Sequence, residues 1–384
     1  PNTLPQTEVQ LIAGLGSQTN SCGGPCDRWG DYSAMSLDPV DDCTFWYTNE
    51  YYDSQANGTI GNWHTRIGSF KFPGCTAPSS TAQRTFVASN GNDLNVCSLA
   101  SPCRSFGAAI VKTTSGGEVV VLDSAGYGPV VITKPVSIIA PPGVYAGVSV
   151  LSGTGVVVNP VVGKVTLRGL TINALGGTTG IDYQSGDSLY LDSVVVNGFP
   201  TAGLNVLAAA TGTVQIHDSF FRGNGIGATF GTTGGTTATL KVVVANSNFD
   251  GNTTGVRFTS FSAHGEIRGT TLSGGTTGAL LAPTVAGALT RVDFVESTIS
   301  GNTTGIQAQS GTGTANVSAS STMISGNTTG VTAAAGGNVF LTDSTITRNQ
   351  TGLSGTGGTI TSGTLNRLYN NGTPGSFTST VPRT

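Results

Sequence analysis

A short polar repeat recurs in the C-terminal half of the chain and limits what the chain can fold into. The block Ser-Gly-Asn-Thr-Thr-Gly occupies residues 300–305 and again 325–330, so Gly305 and Gly330 are 25 residues apart. Each copy follows a segment rich in β-branched and small residues. A repeat this short cannot bury its own apolar side and must stack on copies of itself. The repeat therefore predicts a solenoid.

Alternation of apolar and polar residues indicates that the solenoid is built of β-strands. Glycines follow the turns at intervals of 22 to 27 residues in adjacent coils, and three strands of about four residues with their turns need roughly this length. The Leu pattern of leucine-rich repeats is missing, which favours a parallel β-helix. The alternating segments are 165–172, 189–196, 214–221, 240–249, 266–272 and 339–346. The glycines are Gly180, Gly203, Gly255, Gly278, Gly305, Gly330 and Gly352, with 225–227 marking one further coil.

Residues 105–113 predict one short helix, because Phe106, Ala109 and Ile110 fall on one helical face. A buried strand at 116–123 and two strands within 130–140 are predicted to follow, and the regular coils to begin near Val161. This order resembles the entry to right-handed parallel β-helix proteins of the pectate-lyase-like architecture. The resemblance spans residues 84–370 and implies an all-β right-handed parallel β-helix with a short N-terminal capping helix. The corresponding domain is 84–384.

Residues 1–80 predict a separate small β module that contains disulfides. They hold all three Trp residues and four of the six Cys residues, and strands are predicted at 8–16, 43–52 and 63–72. Segments of this module resemble the closing segment of bacterial sialidase-like β-propeller proteins. The other propeller blades are absent, so no propeller active site can be carried over. The resembling segments are 14–18, 28–39, 41–48 and 66–75.

The six cysteines precede the repeats and predict disulfides, which indicate an oxidising compartment and a secreted or cell-surface protein. Zinc is the alternative, but no second close Cys or His pair completes the Cys22 and Cys26 spacing. Cys97–Cys103 is the pairing best supported by sequence position. The other expected pairings are Cys43–Cys75 and Cys22–Cys26.

Asparagines recur at one turn of the repeat and are predicted to form a ladder along the solenoid axis. Asn tolerates the left-handed conformation and can bond to nearby backbone. Most of these residues also match the glycosylation pattern Asn-X-Thr, although the turn explains all of them at once. The ladder residues are Asn224, Asn252, Asn302, Asn327, Asn349 and Asn371.

Acidic residues in the solenoid are spread at about one per coil, which predicts no catalytic pair and no enzyme. In the N-terminal module, Asp38, Asp41 and Asp42 form either a calcium site or a solvated turn; no other cofactor is expected. The net charge of −3 and the absence of a long apolar run argue against nucleic-acid binding and a membrane span. The solenoid acids are Asp182, Asp187, Asp192, Asp218, Asp250, Glu266, Asp293, Glu296 and Asp343.

The sequence therefore predicts a secreted structural or adhesive β-solenoid. Residues 1–80 form a strand-rich unit without partners, and 365–379 lack an amphipathic helix to cover the last coil. Two unsatisfied ends suggest head-to-tail self-association into a filament. The alternatives are a carbohydrate-active enzyme, either lyase or hydrolase, and a non-catalytic glycan-binding module.

Overall fold

The computed structural model describes residues 10–16, 32–38, 43–53, 63–75, 81–208, 212–232, 239–260 and 262–381. The chain divides into two compact units, Pro1–Ser80 and Thr81–Thr384. In the first unit, strands pair antiparallel in the order β1-β2-β3. These strands are β1 (Ala34–Leu37), β2 (Thr44–Tyr52) and β3 (Trp63–Lys71).

The Cys43–Cys75 disulfide joins the start of β2 to the chain just after β3. Strands β2 and β3 confirm the predictions at 43–52 and 63–72, whereas the predicted strand at 8–16 is wrong over 10–16, which lie outside any strand. The N–H of Leu15 donates to the carbonyl oxygen of Tyr52 on β2, but a hydrogen bond at one point does not make the ladder that defines a strand pair. The pair Cys22 and Cys26 lies outside the described residues, and the propeller resemblance stays a prediction.

In the second unit, three parallel sheets run along one solenoid. Sheet 1 contains β4 (Ala82–Val87), β5 (Thr113–Val121), β8 (Val136–Ile139), β11 (Lys164–Arg168), β14 (Ser188–Asp192), β17 (Gly212–His217), β20 (Thr239–Ala245), β23 (Ser262–Arg268), β26 (Leu289–Val295), β29 (Thr314–Ser320), β32 (Gly337–Thr342), β35 (Thr359–Ser362) and β37 (Ser379–Thr380). Sheet 2 contains β6 (Ala125–Gly126), β9 (Ala146–Val150), β12 (Leu170–Ala174), β15 (Val195–Asn197), β18 (Phe220–Arg222), β21 (Asn248–Asp250), β24 (Thr271–Ser273), β27 (Thr298–Ser300), β30 (Met323–Ser325), β33 (Thr345–Thr347) and β36 (Arg367–Tyr369). Sheet 3 contains β7 (Val130–Ile132), β10 (Thr154–Val158), β13 (Thr179–Tyr183), β16 (Ala202–Ala208), β19 (Ile226–Thr232), β22 (Thr254–Ser260), β25 (Thr277–Pro283), β28 (Thr304–Ala308), β31 (Thr329–Ala334) and β34 (Thr351–Thr356).

This arrangement is a parallel β-helix, because each coil contributes one strand to each sheet and pairs with the coils before and after it. Coils begin at β5, well before the Val161 predicted from the repeat. Alternate residues point inward and are buried, as in the pattern of β17. Aromatic side chains stack from coil to coil inside the core: the rings of Phe221 and Phe249 are 4.9 Å apart and nearly parallel.

The glycines predicted after the turns form a column in which each leaves room for the next coil. A Cβ atom on Gly305 would lie 2.5 Å from the carbonyl oxygen of Gly330, and the same holds at Gly180 for Gly203. Gly227 fills the column in the coil that the sequence marked at 225–227. These glycines are needed for close approach of the coils and not for a left-handed backbone.

The asparagines form a buried ladder as expected from their spacing. Asn302 donates from Nδ2 to Oδ1 of Asn327, and that Oδ1 also accepts the backbone N–H of Asn302. Asn327 repeats both bonds to Asn349. One coil carries Gly275 in the ladder position, where its N–H still donates to Asn302 Oδ1. Because the amides of Asn252, Asn302, Asn327 and Asn349 are buried and bonded, glycosylation at these positions is disfavoured.

A second ladder of buried hydroxyls, which the sequence reasoning missed, follows the turn between sheets 1 and 2. The backbone N–H of Ser219 donates to Ser247 Oγ, and the N–H of Ser247 donates to Thr270 Oγ1. Thr270 continues to Ser297 in the same way. Buried turns therefore satisfy their backbone donors with side chains of the next coil.

Both ends of the β-helix are covered by the chain itself, to different degrees. Helix α1 (Phe106–Lys112) follows an N-cap at Ser105 and buries Phe106, Ala109 and Ile110, as predicted. The Cys97–Cys103 disulfide lies in the loop before it. At the other end no helix is present in the described residues, but Phe377 packs against the core and β37 pairs with β35. The expectation of a bare last coil is therefore wrong in part.

Candidate functional site

The outer face of sheet 1 carries rows of side chains that run along the solenoid axis. Residues that face outward on neighbouring strands stand directly beside each other in register. The central row comprises Thr166, Tyr190, Gln215, Val243, Glu266, Asp293, Ser318, Phe340 and Thr361. The row on its N-terminal side comprises Lys164, Ser188, Thr213, Lys241, His264, Arg291, Asn316, Asn338 and Thr359.

Two carboxylates meet in the central row. Glu266 on β23 is directly in register with Asp293 on β26, and adjacent strands are about 4.8 Å apart. In the flanking row His264 is in register with Arg291. Arg268 Nε lies 3.7 Å from Glu266 Oε1. The structure thus assembles two acids, two arginines and a histidine on neighbouring strands.

The two carboxylates of this pair are unequal. Partial burial raises the pKa of Asp293, the negative charge of Glu266 raises that pKa further, and the positive charge of His264 opposes the shift. The Arg268 guanidinium instead contacts Glu266. A carboxyl group with a raised pKa beside a second carboxyl group in a different environment is suited to acid–base chemistry.

A groove of about 340 Å³ extends from Arg291 and Asp293 toward the C-terminal coils. Asn316, Asn338 and Thr361 supply hydrogen-bonding groups along it, and Phe340 supplies an aromatic ring. Asn338 Nδ2 donates to Asn316 Oδ1 at 2.9 Å, which holds the two amides in a fixed direction. The groove therefore combines polar groups and one apolar surface, as expected of a ligand site.

Other acids of the solenoid do not converge. Asp218, Glu296 and Asp343 occupy the same turn position in the left-handed region, with φ of 50°, 49° and 45°. They are turn residues, and each is followed by a serine. Asp192 is one residue out of that register and accepts a hydrogen bond from Arg168 Nε at 2.8 Å.

The structure describes one of the three calcium candidates in the N-terminal module. Asp38 Oδ2 accepts a hydrogen bond of 2.9 Å from Trp46 Nε1, while Asp41 and Asp42 lie outside the described residues. Among the residues with described positions, no three His, Cys, Asp or Glu side chains are grouped to hold a metal. Calcium binding by Asp38, Asp41 and Asp42 stays a prediction.

The sequence reasoning listed Glu266 and Asp293 but missed that they meet. They are 27 residues apart, which is the length of the coil that joins them. The signal was therefore present: two acids separated by one coil on strands of the same sheet face the same side.

Comparisons with known proteins support the fold. A family model described as "Right handed beta helix region" matches residues 154–321. The solved structure titled "Crystal structure of pectate lyase Pel9A" has 14% sequence identity and a TM-score of 0.47, over 79% of each chain. No curated protein matches the sequence. The family model confirms the predicted right-handed parallel β-helix.

The described part of the chain has no helix whose length and hydropathy would suffice to cross a bilayer.

Proposed function

We propose that the chain binds a polysaccharide along the outer face of sheet 1 and hydrolyses it with Glu266 and Asp293. The observation that carries the proposal is the in-register acid pair with unequal environments. Glycoside hydrolysis ordinarily uses two carboxyl groups, one protonated and one charged, on either side of the scissile bond. The raised pKa of Asp293 and the contact of Arg268 with Glu266 support this assignment of roles to the pair on β23 and β26.

In this proposal Asp293 is the acid. Its raised pKa keeps the carboxyl protonated to higher pH, so it can give its proton to the leaving oxygen as the glycosidic bond breaks. Glu266, beside Arg268, is the carboxylate. In one route Glu266 takes a proton from the water that attacks the sugar carbon. In the other route Glu266 itself bonds to that carbon, and water then cleaves this intermediate. Inversion or retention of configuration in the product distinguishes the two routes.

The charge of the surface favours an acidic sugar chain. Of seven Lys and Arg residues between 161 and 345, five project from the outer face of sheet 1. In the same range, the described strands of this face carry three acids, Asp192, Glu266 and Asp293, so positive charge is in excess there. An excess of positive charge on one face attracts polyanions and raises their local concentration. The five are Lys164, Arg168, Lys241, Arg268 and Arg291.

The test is incubation of the purified chain with polygalacturonate, alginate and hyaluronate, followed by measurement of new reducing ends. We expect release from at least one of them and loss of release in the double variant E266Q/D293N. Release that persists in the double variant would contradict the assignment. Retention of polymer without release by the wild-type chain would instead support a non-catalytic glycan-binding module, which the groove on the outer face of sheet 1 also suits.

We also propose that the chain self-associates head to tail outside the cytosol. Strand β36 is the last strand of sheet 2 among the described residues, and Tyr369 on it is 49% exposed. An uncovered strand edge can pair with another chain, and the disulfides suit an oxidising compartment. We expect fibres by negative-stain microscopy of the full chain and monomers after removal of residues 1–80. Fibres that survive this removal would rule out joining through the N-terminal module.

A further inference from the structure

Two aromatic side chains share the central row of sheet 1 with the acid pair. Tyr190 is connected to Glu266 through Gln215 and Val243, and Phe340 is connected to Asp293 through Ser318. One aromatic residue therefore lies on each side of the two carboxylates. Nothing in the packing of the β-helix requires this, because all of these side chains face away from the core.

Tyr190 is held in place by a lysine and a histidine on the neighbouring strands. The Lys164 ammonium lies 4.8 Å from the centre of the Tyr190 ring, and the His217 ring centre lies 5.3 Å from it. These contacts join three adjacent strands, β11, β14 and β17. The ring is thus fixed on the sheet surface by side chains that could also bond to a polar ligand.

Phe340 faces the groove on the other side of the acid pair. Its side chain is 36% exposed and lines the same groove as Arg291 and Asp293. The ring lies partly in water beside the amides and charged groups of the groove. Burial of that ring under an apolar sugar face would remove it from water.

The row spacing sets the length of the ligand. Tyr190 and Glu266 are separated by three strand intervals, and Asp293 and Phe340 by two. At about 4.8 Å per interval the whole row from Tyr190 to Phe340 spans roughly 29 Å. Only an extended polymer can contact both rings at once.

We infer that Tyr190 and Phe340 are positioning residues that stack against sugar rings on either side of the acid pair. Cleavage would then fall inside a chain and not at its end. The inference rests on the proposed function for its cleavage site, but the two stacking contacts can be tested by binding alone. It predicts that both rings contribute to the affinity for long chains and contribute nothing to hydrolysis of ligands too short to reach them.

The test measures binding of polygalacturonate, alginate and hyaluronate by affinity electrophoresis, with the acid pair disabled as E266Q/D293N so that no polymer is consumed. On the polymer that is retained, Y190A and F340A should each weaken retention about tenfold, the size expected for one aromatic contact. Y190F and F340W should preserve retention. F220A, which removes an exposed ring from β18 of sheet 2, is the matched control and should have no effect.

Unchanged retention in both Y190A and F340A, or absence of retention in the parent chain, would overturn the inference. Where the wild-type chain releases products, Y190A and F340A should lower kcat/KM on the polymer and leave it unchanged on a disaccharide substrate. Polymer viscosity should also fall early, before many reducing ends appear. If Y190A and F340A retained and cleaved polymer like the parent chain while D293N was inactive, the proposed function would stand and only this inference would be contradicted.

Discussion

The substitution D293N should lower kcat for polysaccharide hydrolysis by about 10²- to 10⁴-fold, the contribution expected of a general acid. Asn keeps the shape of the side chain and its place on β26 but has no proton to give to the leaving oxygen. Because Asp293 faces outward on sheet 1, the substitution leaves the core intact. The measurement is the initial rate of reducing-end release at saturating polymer.

The pH profile gives this prediction a second readout. The pKa of Asp293 is raised by burial and by Glu266, so the wild-type rate should fall as pH rises through that pKa and the acid loses its proton. D293N should lose this alkaline limb. A variant with the wild-type rate and profile would remove Asp293 from the mechanism.

The matched control is D250N. Asp250 is an exposed carboxylate on sheet 2 that accepts a hydrogen bond of 2.7 Å from Ser273 Oγ. It has no acidic partner in register, since the adjacent strands place Arg222 and Ser273 beside it. Its substitution should leave both the rate and the pH profile unchanged.

The pH dependence of the stability should also reveal the titration of Asp293, and it can be measured without an activity assay. Asp293 has a higher pKa folded than unfolded, so the folded state binds its proton more tightly. The stability contributed by this proton is therefore complete at low pH and is lost as pH rises through the folded pKa. Above that pH, D293N should unfold at a slightly higher temperature than the wild-type chain.

The repeat elements could be predicted because their signals are local. Gly305 and Asn302 lie within one block of six residues. The close approach of the next coil explains the glycine, and the hydrogen bond to Asn327 explains the asparagine. The meeting of Glu266 and Asp293 could not be predicted so directly, because the length of each coil decides which residues of neighbouring strands stand beside each other. In the row beside the pair, the steps Lys241 to His264, His264 to Arg291 and Arg291 to Asn316 are 23, 27 and 25 residues. A slip of one residue would turn a side chain to the opposite face.

The ends of the solenoid were harder to predict for a different reason. Helix α1 could be predicted because the spacing of Phe106, Ala109 and Ile110 places all three on one helical face. The C-terminal cover has no periodic signal, because Phe377 packs singly and Thr378 bonds to Ile360 through its N–H and hydroxyl. Whether such single contacts cover the last coil depends on the path that the chain takes after it, and no periodic sequence pattern indicates that path.

The substitution G305A should destabilise the β-helix by about 3 kcal/mol, at the upper end of the usual cost of overpacking. A Cβ atom at Gly305 would lie 2.5 Å from the carbonyl oxygen of Gly330 and 3.2 Å from Asn327 Nδ2. The first of these atoms is backbone in a paired strand and cannot move aside without separating two coils. The second belongs to the buried Asn ladder, so relief of the clash would strain that ladder.

The measurement is the free energy of unfolding from urea denaturation followed by circular dichroism, with G311A as the control. Gly311 lies one turn away in the same coil, and a Cβ atom there would meet no atom within 4 Å. G311A should therefore change stability by less than about 0.5 kcal/mol. Both substitutions add one methyl group and remove the same backbone freedom, so their difference isolates the contact between coils. Equal stabilities would mean that the glycine column does not set the close approach of the coils.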